Sequence, residues 1–320
     1  MRRLLYLIVI CLFVFTIALL STRFREPVYI SKASFPSWDL LEIGLKRGVG
    51  GKRFEFSNFS NYSDVMEEFI SKRSNLATLT IFEALLAYHR LDANVVIILM
   101  LDYTIGSDGI LAHKGIYHPI NIKSKVIGAE RDTIAHYTLT KLLQRVNLDH
   151  KDIVVVNKNT QELIQLFKEK KLDAISFYDP YLYELRNLKK EYNLLFTSKE
   201  IPGKICDVLI AHKDFAINHP ELIKSLREKW FKIVRDGDPY KVLQGRPGYK
   251  NESYLEHIKQ NIYLSGKLEN LAAFGTSEDP GYLYGAINDM AGYLKQQGSI
   301  SKEFSIPSTI LLKMAESNDK

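Results

Sequence analysis

The chain has 320 residues, 46% of them hydrophobic and 25% charged, with 43 basic and 37 acidic residues giving a formal net charge of +6. That length exceeds one small core and makes two lobes the expectation, and the composition is that of a globular protein, not a disordered or fibrous one. The charges are interspersed and form no dense basic block, so no nucleic-acid partner is expected, and two cysteines are too few for a disulfide framework.

The first segment is the plainest local signal. Arg2 and Arg3 precede an uncharged run from Leu4 to Leu20, and Arg23 and Arg25 close it. A charged start before an apolar stretch marks an export signal or a membrane anchor, and the run is long for a signal core and short for a spanning helix. No clean small-x-small cleavage site follows, and Cys11 sits mid-run and not behind a lipobox. Residues 1–25 are therefore read as a hydrophobic helix serving as signal peptide or anchor, with cleavage open. The protein is expected to be periplasmic or otherwise extracytoplasmic, with a membrane contact through residues 4–20.

Val28 to Lys32 reads as a first strand, followed by the aromatic and polar loop Ala33-Ser34-Phe35-Pro36-Ser37-Trp38-Asp39 and a helix from Leu40. Phe54–Phe56 is a second strand. Tyr62 to Lys72 places Val65, Met66, Phe69 and Ile70 on one helix face. Leu76 to Phe82 is a third strand running into a helix at Glu83, and the uninterrupted Val95–Leu101 is a strand buried on both faces. A second alternating unit runs from Lys125 to Thr197, with strands at 125–130, 152–156, 173–177 and 194–197. Its first helix is capped by Asp132 or Thr133. Ile205 to Ala211 returns to the first unit, and Pro220–Val234, Glu252–Gln260 and Gly281–Gln297 are helices. The alternation predicts an α/β protein with mostly parallel sheets. Two crossings, near Ala112 and near Ala211, predict a hinged pair of lobes around a cleft: residues 26–111 with 212–320, and residues 112–211.

Three segments carry a resemblance: Asp102-Tyr103-Thr104-Ile105-Gly106-Ser107-Asp108-Gly109-Ile110-Leu111-Ala112, then Ile127-Gly128-Ala129-Glu130, then Leu172-Asp173-Ala174-Ile175-Ser176-Phe177-Tyr178-Asp179-Pro180-Tyr181. Over roughly Val28 to Lys313 the sequence resembles the extracytoplasmic solute-binding proteins of ABC importers, the nitrate/sulfonate/taurine type, a group that also includes binders of thiamine pyrimidine precursors. It departs from the group where Phe177-Tyr178-Asp179-Pro180 stands at a tryptophan-glutamate-proline pattern. The resemblance implies a type II periplasmic-binding-protein fold with a two-segment hinge. It also implies a ligand held between the lobes and an ABC permease with its ATPase as partners. A membrane sensor protein is the alternative partner.

Loops at strand ends supply the candidate contacts, because open α/β sheets hold ligands outside the carboxyl ends of their strands. Ser34, Phe35 and Trp38 form one set, with Trp38 suited to stacking on a flat or apolar group. Thr78 and Thr80 offer hydroxyls. Asp102, Tyr103 and Thr104 come from the central stretch, Arg131 and Thr133 from a helix start that favours anions, and Tyr178 and Asp179 from the last segment. Asp132 and Asp179 also suit helix caps. Acids outnumber Arg131 in these loops, so an amine-bearing, zwitterionic or heteroaromatic ligand fits better than a bare anion such as nitrate. No CxxC or HExxH spacing, nucleophile elbow or phosphate-binding glycine loop is present. No metal, cofactor or enzymatic activity is expected. The Asp132–His136 pair reads as a solvated helix face, and Cys206 as a small buried hydrophobe.

Overall fold

A computed structural model describes residues 27–49, 52–188, 192–276 and 278–313. The expected signal or anchor over residues 1–25 lies outside the described residues. The chain first lays down β1 (Val28–Ala33), α1 (Pro36–Leu45), β2 (Phe54–Phe59), α2 (Tyr62–Ile70), β3 (Leu76–Thr80), α3 (Ile81–Arg90) and β4 (Val95–Thr104). The middle of the chain gives β5 (Asp108–His113), β6 (Val126–Gly128), α4 (Ile134–Arg145), β7 (Val154–Val156), α5 (Thr160–Lys168), β8 (Ala174–Tyr178), α6 (Tyr181–Leu188) and β9 (Tyr192–Thr197). Then come β10 (Cys206–His212), α7 (Lys213–Asn218), α8 (Pro220–Arg235), α9 (Pro239–Leu243), α10 (Glu252–Asn261), β11 (Ile262–Leu264), α11 (Lys267–Phe274) and α12 (Tyr282–Gln297).

Two sheets result, ordered β11-β4-β10-β3-β1-β2 and β7-β6-β8-β5-β9. Both are mixed. In the first, β1 runs parallel to β2 and β3, while β10 lies antiparallel between β3 and β4, and β11 pairs antiparallel with β4. In the second, β6 is parallel to β7 and β8, and β5 is antiparallel to both β8 and β9.

The chain leaves the first sheet after Thr104, enters the second at Asp108, and passes back between Thr197 and Cys206. Ala112 therefore lies inside β5, paired with Ala174 and Asn193, and Ala211 lies inside β10, paired with Leu76 and Val96. The passages between the sheets thus lie a few residues before the Ala112 and Ala211 positions near which crossings are expected. The apolar run Ile110-Leu111-Ala112 is buried on both faces and carries no mark of which sheet will hold it. The first passage needs a glycine. Gly106 has φ +128°, a Cβ there would meet Asn261 Oδ1 at 2.1 Å, and its N–H donates to Ser198 Oγ at 2.7 Å.

Local chemistry explains the elements. Asn61 caps α2 by accepting from the Asp64 N–H at 2.8 Å, and Val65, Met66 and Phe69 form its buried face. α8 opens with Pro220 and buries Leu222, Ile223, Leu226 and Trp230, whose indole N–H donates to Ser265 O at 2.8 Å. β11 reaches only Asp102–Thr104 of β4. Beyond it the buried Asn270 stands in for a strand, its amide accepting from Met100 N and donating to Met100 O, both at 2.9 Å. Arg227 similarly donates to Ile98 O at 2.6 Å and to the carbonyls of Leu312 and Lys313. Burial draws its pKa down to about 10. Among the described residues no helix is long and apolar enough to cross a membrane.

Candidate functional site

The site grows from one row of residues at an end of the first sheet. Asp207 on β10 pairs with Thr80 on β3 and with Asp102 on β4, and residues directly opposite on neighbouring strands project from the same face. Thr80 caps α3 by accepting from the Phe82 N–H at 3.1 Å, and its hydroxyl donates to the Glu83 carboxylate in the first turn. Thr104, two residues beyond Asp102, donates to Asp108 Oδ2 at 2.6 Å at the entrance to the second sheet. Glu83, Asp102, Asp108 and Asp207 are all buried. Burial pushes Glu83, Asp102 and Asp108 each up to about 7. Asp207 is raised well above the carboxylate range by burial and by the charges of Asp102, Asp108 and Glu83.

An aromatic ladder runs beside this row. Phe35 and Trp38 have ring centroids 5.4 Å apart, Trp38 and Tyr62 4.9 Å, and Tyr62 stacks on Tyr178 at 4.4 Å with 13° between the planes. The first three rings come from the α1 and α2 starts and Tyr178 from the end of β8, so the ladder spans both sheets' halves. Around it the buried Ser37 Oγ, Trp38 Nε1, Thr78 Oγ1, Ser107 Oγ and Tyr178 OH have no well-formed hydrogen bond, and neither do the oxygens of Asp102, which face Ser37 and Asp207.

The two halves touch on every side of this centre. The Ile134 N–H donates to Glu83 Oε1 at 3.3 Å, Ser63 Oγ to Glu130 Oε1 at 3.2 Å, and Gln161 to Ser60 O at 3.2 Å. His257 Nε2 lies 2.7 Å from Asp179 Oδ2. On the far flank Tyr293 of α12 meets His136 Nδ1 at 3.0 Å and Thr140 Oγ1 at 3.2 Å on α4. Removing only that hydroxyl, in Tyr293→Phe, is expected to lower stability by about 0.5–1.5 kcal/mol and to leave the melt cooperative. A change under a few tenths of a kcal/mol in chemical denaturation would show that this contact does not hold the halves together.

The structure brings only part of the expected set into this centre. Phe35, Trp38, Thr78, Thr80, Asp102, Thr104 and Tyr178 surround it. Ser34 instead donates to Asp39 Oδ2 at 3.2 Å, within a separate ion network. Tyr103 points the other way, as strand alternation requires with Asp102 and Thr104 on the opposite face. It stacks on Tyr263 at 5.1 Å and lines an apolar cavity of ≈ 490 Å³ with Cys206, Leu268 and Tyr282.

Arg131 lines a second cavity, of ≈ 640 Å³, with Arg90, His136, His150 and Tyr293, outside the carboxylate row. Asp132 and His136 border that cavity too; Asp132 is exposed, as expected, but precedes the helix, while His136 is half-buried, so the two do not share a helix face. Thr133 is the α4 cap, accepting from the Ala135 N–H at 3.3 Å and donating to Glu130 O at 2.8 Å. Asp132 stands outside the helix with φ +56° and accepts from Ser299. Asp179 is taken up by the Tyr183 N–H at 3.0 Å and by His257. Cys206 is fully buried, and burial pushes its thiol up.

Tyr62, Glu83 and Asp207 are the residues that sequence reasoning missed. Two of them carried a signal: an acid inside an otherwise apolar helix start, Ile81-Phe82-Glu83-Ala84, and an acid inside the apolar strand Cys206-Asp207-Val208-Leu209.

The fold is shared with solved structures of solute-binding proteins. The alkanesulfonate-binding protein SsuA from Xanthomonas axonopodis pv. citri, in a structure bound to MOPS, superposes with a TM-score of 0.73 at 14% identity, covering 89% of this chain and 97% of that one. The periplasmic aliphatic sulphonate binding protein SsuA from Escherichia coli gives 0.68 at 14% identity, covering 89% and 91%. The NMT1/THI5 like family model matches residues 58–229, more than half of the chain, and the chain belongs to that family. In sequence it is 23% identical over 211 residues to the taurine-binding periplasmic protein of Escherichia coli (strain K12). That alignment takes in 61% of this chain and 62% of the relative's length.

Proposed function

We propose that the chain is the extracytoplasmic solute-binding component of an ABC importer. It captures a small sulfonate-, amine- or heteroaromatic nitrogen-type solute between its two halves and delivers it to a permease with its ATPase. Its output is binding energy, not bond-making. The observation that carries this reading is the convergence, around two chain crossings, of polar and aromatic side chains that lack partners of their own. Trp38, Thr78 and Asp102 come from one half, and Ser107 and Tyr178 from the passage and the other half. Groups left unpaired in a dry interface are stabilised once a ligand supplies the missing partners.

The named relatives are sulfonate and taurine binders, two of them described as periplasmic, which supports the importer over a membrane-tethered sensor and supports an extracytoplasmic site. An uncleaved Leu4–Leu20 segment would tether the same cleft to the membrane. Opening and closing at the crossings is the hinge motion such a protein uses.

Native mass spectrometry of the purified full chain tests the reading. One equivalent of a co-purifying small molecule is expected, and its removal should expand the protein in solution scattering. A chain that carries no small molecule, and whose scattering ignores every candidate solute, is not a solute-binding protein.

A further inference from the structure

The fold treats its buried acids in two different ways. Asp39 is buried and faces the Lys32 ammonium and the Arg246 guanidinium, with the Tyr249 hydroxyl donating to its second oxygen at 2.6 Å. Glu42 meets the same two cations. Asp179 has His257. Glu83, Asp102, Asp108 and Asp207 have no such cation; Glu83 and Asp108 take only hydroxyl and N–H donors, as Glu130 does. Among the described residues, no Lys, Arg or His forms an ion pair with any of these four, and each of the four is exposed by 4% or less. Asp102 has no well-formed hydrogen bond on either oxygen, and it shares this centre with the unpartnered Trp38 Nε1, Thr78 Oγ1, Ser107 Oγ and Tyr178 OH. The Trp38–Tyr62–Tyr178 ladder lies beside the same acids, with Tyr62 feeling the charges of Asp207, Asp108 and Glu83.

We propose that the solute this cleft selects is a small organic cation, a protonated amine or amidinium, held by the acids Asp102, Asp207, Asp108 and Glu83, which have no cation of their own and release their protons as it binds, and by the faces of Trp38, Tyr62 and Tyr178. The inference rests on the solute-binding reading and specifies its ligand. Carboxylates without counter-ions in a dry site favour whatever brings positive charge. Aromatic faces add attraction for a cation that has shed its water. A sulfonate or nitrate would add a further negative charge to the same space. The cations that line the protein elsewhere, Arg90 and Arg131, belong to the ≈ 640 Å³ flank cavity, apart from this row. The hydroxyls suit the ligand's remaining N–H groups as acceptors, while Trp38 Nε1, which can only donate, suits an oxygen or a ring face on the ligand. The Tyr62–Tyr178 stack is the contact that an entering flat cation takes over or flanks.

Calorimetric titration of the full chain with agmatine, putrescine, taurine, ethanesulfonate and nitrate tests the inference. At least one of the two amines is expected to bind about tenfold or more tightly than any of the other three, and Asp102→Asn is expected to weaken that amine by about tenfold or more while the protein still melts cooperatively. Tighter binding of ethanesulfonate, nitrate or taurine overturns the cation inference and leaves solute capture standing. Silence from all five also overturns it, and the co-purification experiment then judges solute capture separately. Unchanged amine affinity in Asp102→Asn overturns the assignment of the carboxylates. If that variant does not fold, Asp108→Asn is read in the same way.

Discussion

Replacing Lys32 with methionine is expected to cost about 3–5 kcal/mol of folding stability, the largest effect of any single substitution near the site. Lys32 lies on β1 with only 1% of its side chain exposed, and its ammonium touches Asp39, Glu42 at 3.3 Å and the Ala33 carbonyl at 3.2 Å. Burial works to raise Glu42, but the Arg246 hydrogen bond and the Lys32 and Arg246 charges hold it below the usual carboxylate range. Without Lys32, two acids share one guanidinium in a low-dielectric setting, and methionine fills the volume without supplying the charge. Full burial keeps solvent from screening the loss. Urea denaturation at neutral pH should show a lower midpoint with an unchanged slope. A loss under about 1 kcal/mol would mean that Arg246 alone neutralises the pair.

The second large effect has the opposite sign and concerns the acids that have no such partner. Asp102 titrates near 4 when unfolded and at about 7 in the fold, because burial disfavours its charge. The folded state therefore holds a proton that the unfolded state has released. Stability from this group is full below about pH 4 and is lost as the pH rises toward 7. Glu83 and Asp108 behave alike. The buried histidines work the other way, since burial lowers His136 to about 4 and also lowers His150 and His212, so each loses stability as the pH falls below about 6.5. The difference between wild type and Asp102→Asn cancels the histidines. That variant is expected to be more stable than wild type by a few kcal/mol at pH 8, because each tenfold change in proton affinity between the two states is worth roughly 1.4 kcal/mol, with the gap closing toward pH 4. A gap that does not change with pH would remove Asp102 from the set of uncompensated acids.

These two results describe one physical contrast. The ion network around Asp39 has its cations built into the chain and serves the fold. The row from Asp102 to Glu83 lacks them and weakens the empty protein, a cost that sites kept for a ligand commonly carry.

Much of this was legible in the sequence, for definite reasons. The βα alternation was plain because Val95–Leu101 is a continuous apolar run, Leu76–Thr80 is a short stretch of leucine, alanine and the strand-forming threonine, and Tyr62–Ile70 has a helical stripe. Trp38, Asp102 and Tyr178 stood out because strand ends are where α/β sheets hold ligands. Tyr103 did not belong with them, since in a strand the residue between Asp102 and Thr104 cannot share their face. Asp207 and Glu83 needed the register, because only the pairing of β10 with β3 and β4 puts Asp207 between Thr80 and Asp102. His257 joins Asp179 from 78 residues away, and nothing local in either segment marks that meeting. Arg131 drew attention as a lone cation at a helix start, yet a side chain's direction out of a turn is not written in its neighbours.

The chain has two tryptophans, and only Trp38 stands in the ladder, with Tyr62 at 4.9 Å. In a Trp230→Phe background, Trp38 emission reports directly on the space between the halves. Titrating the molecule recovered from the native protein should shift that emission with the same midpoint that calorimetry gives. A molecule that binds by calorimetry while Trp38 emission stays fixed would place the solute elsewhere and contradict the account.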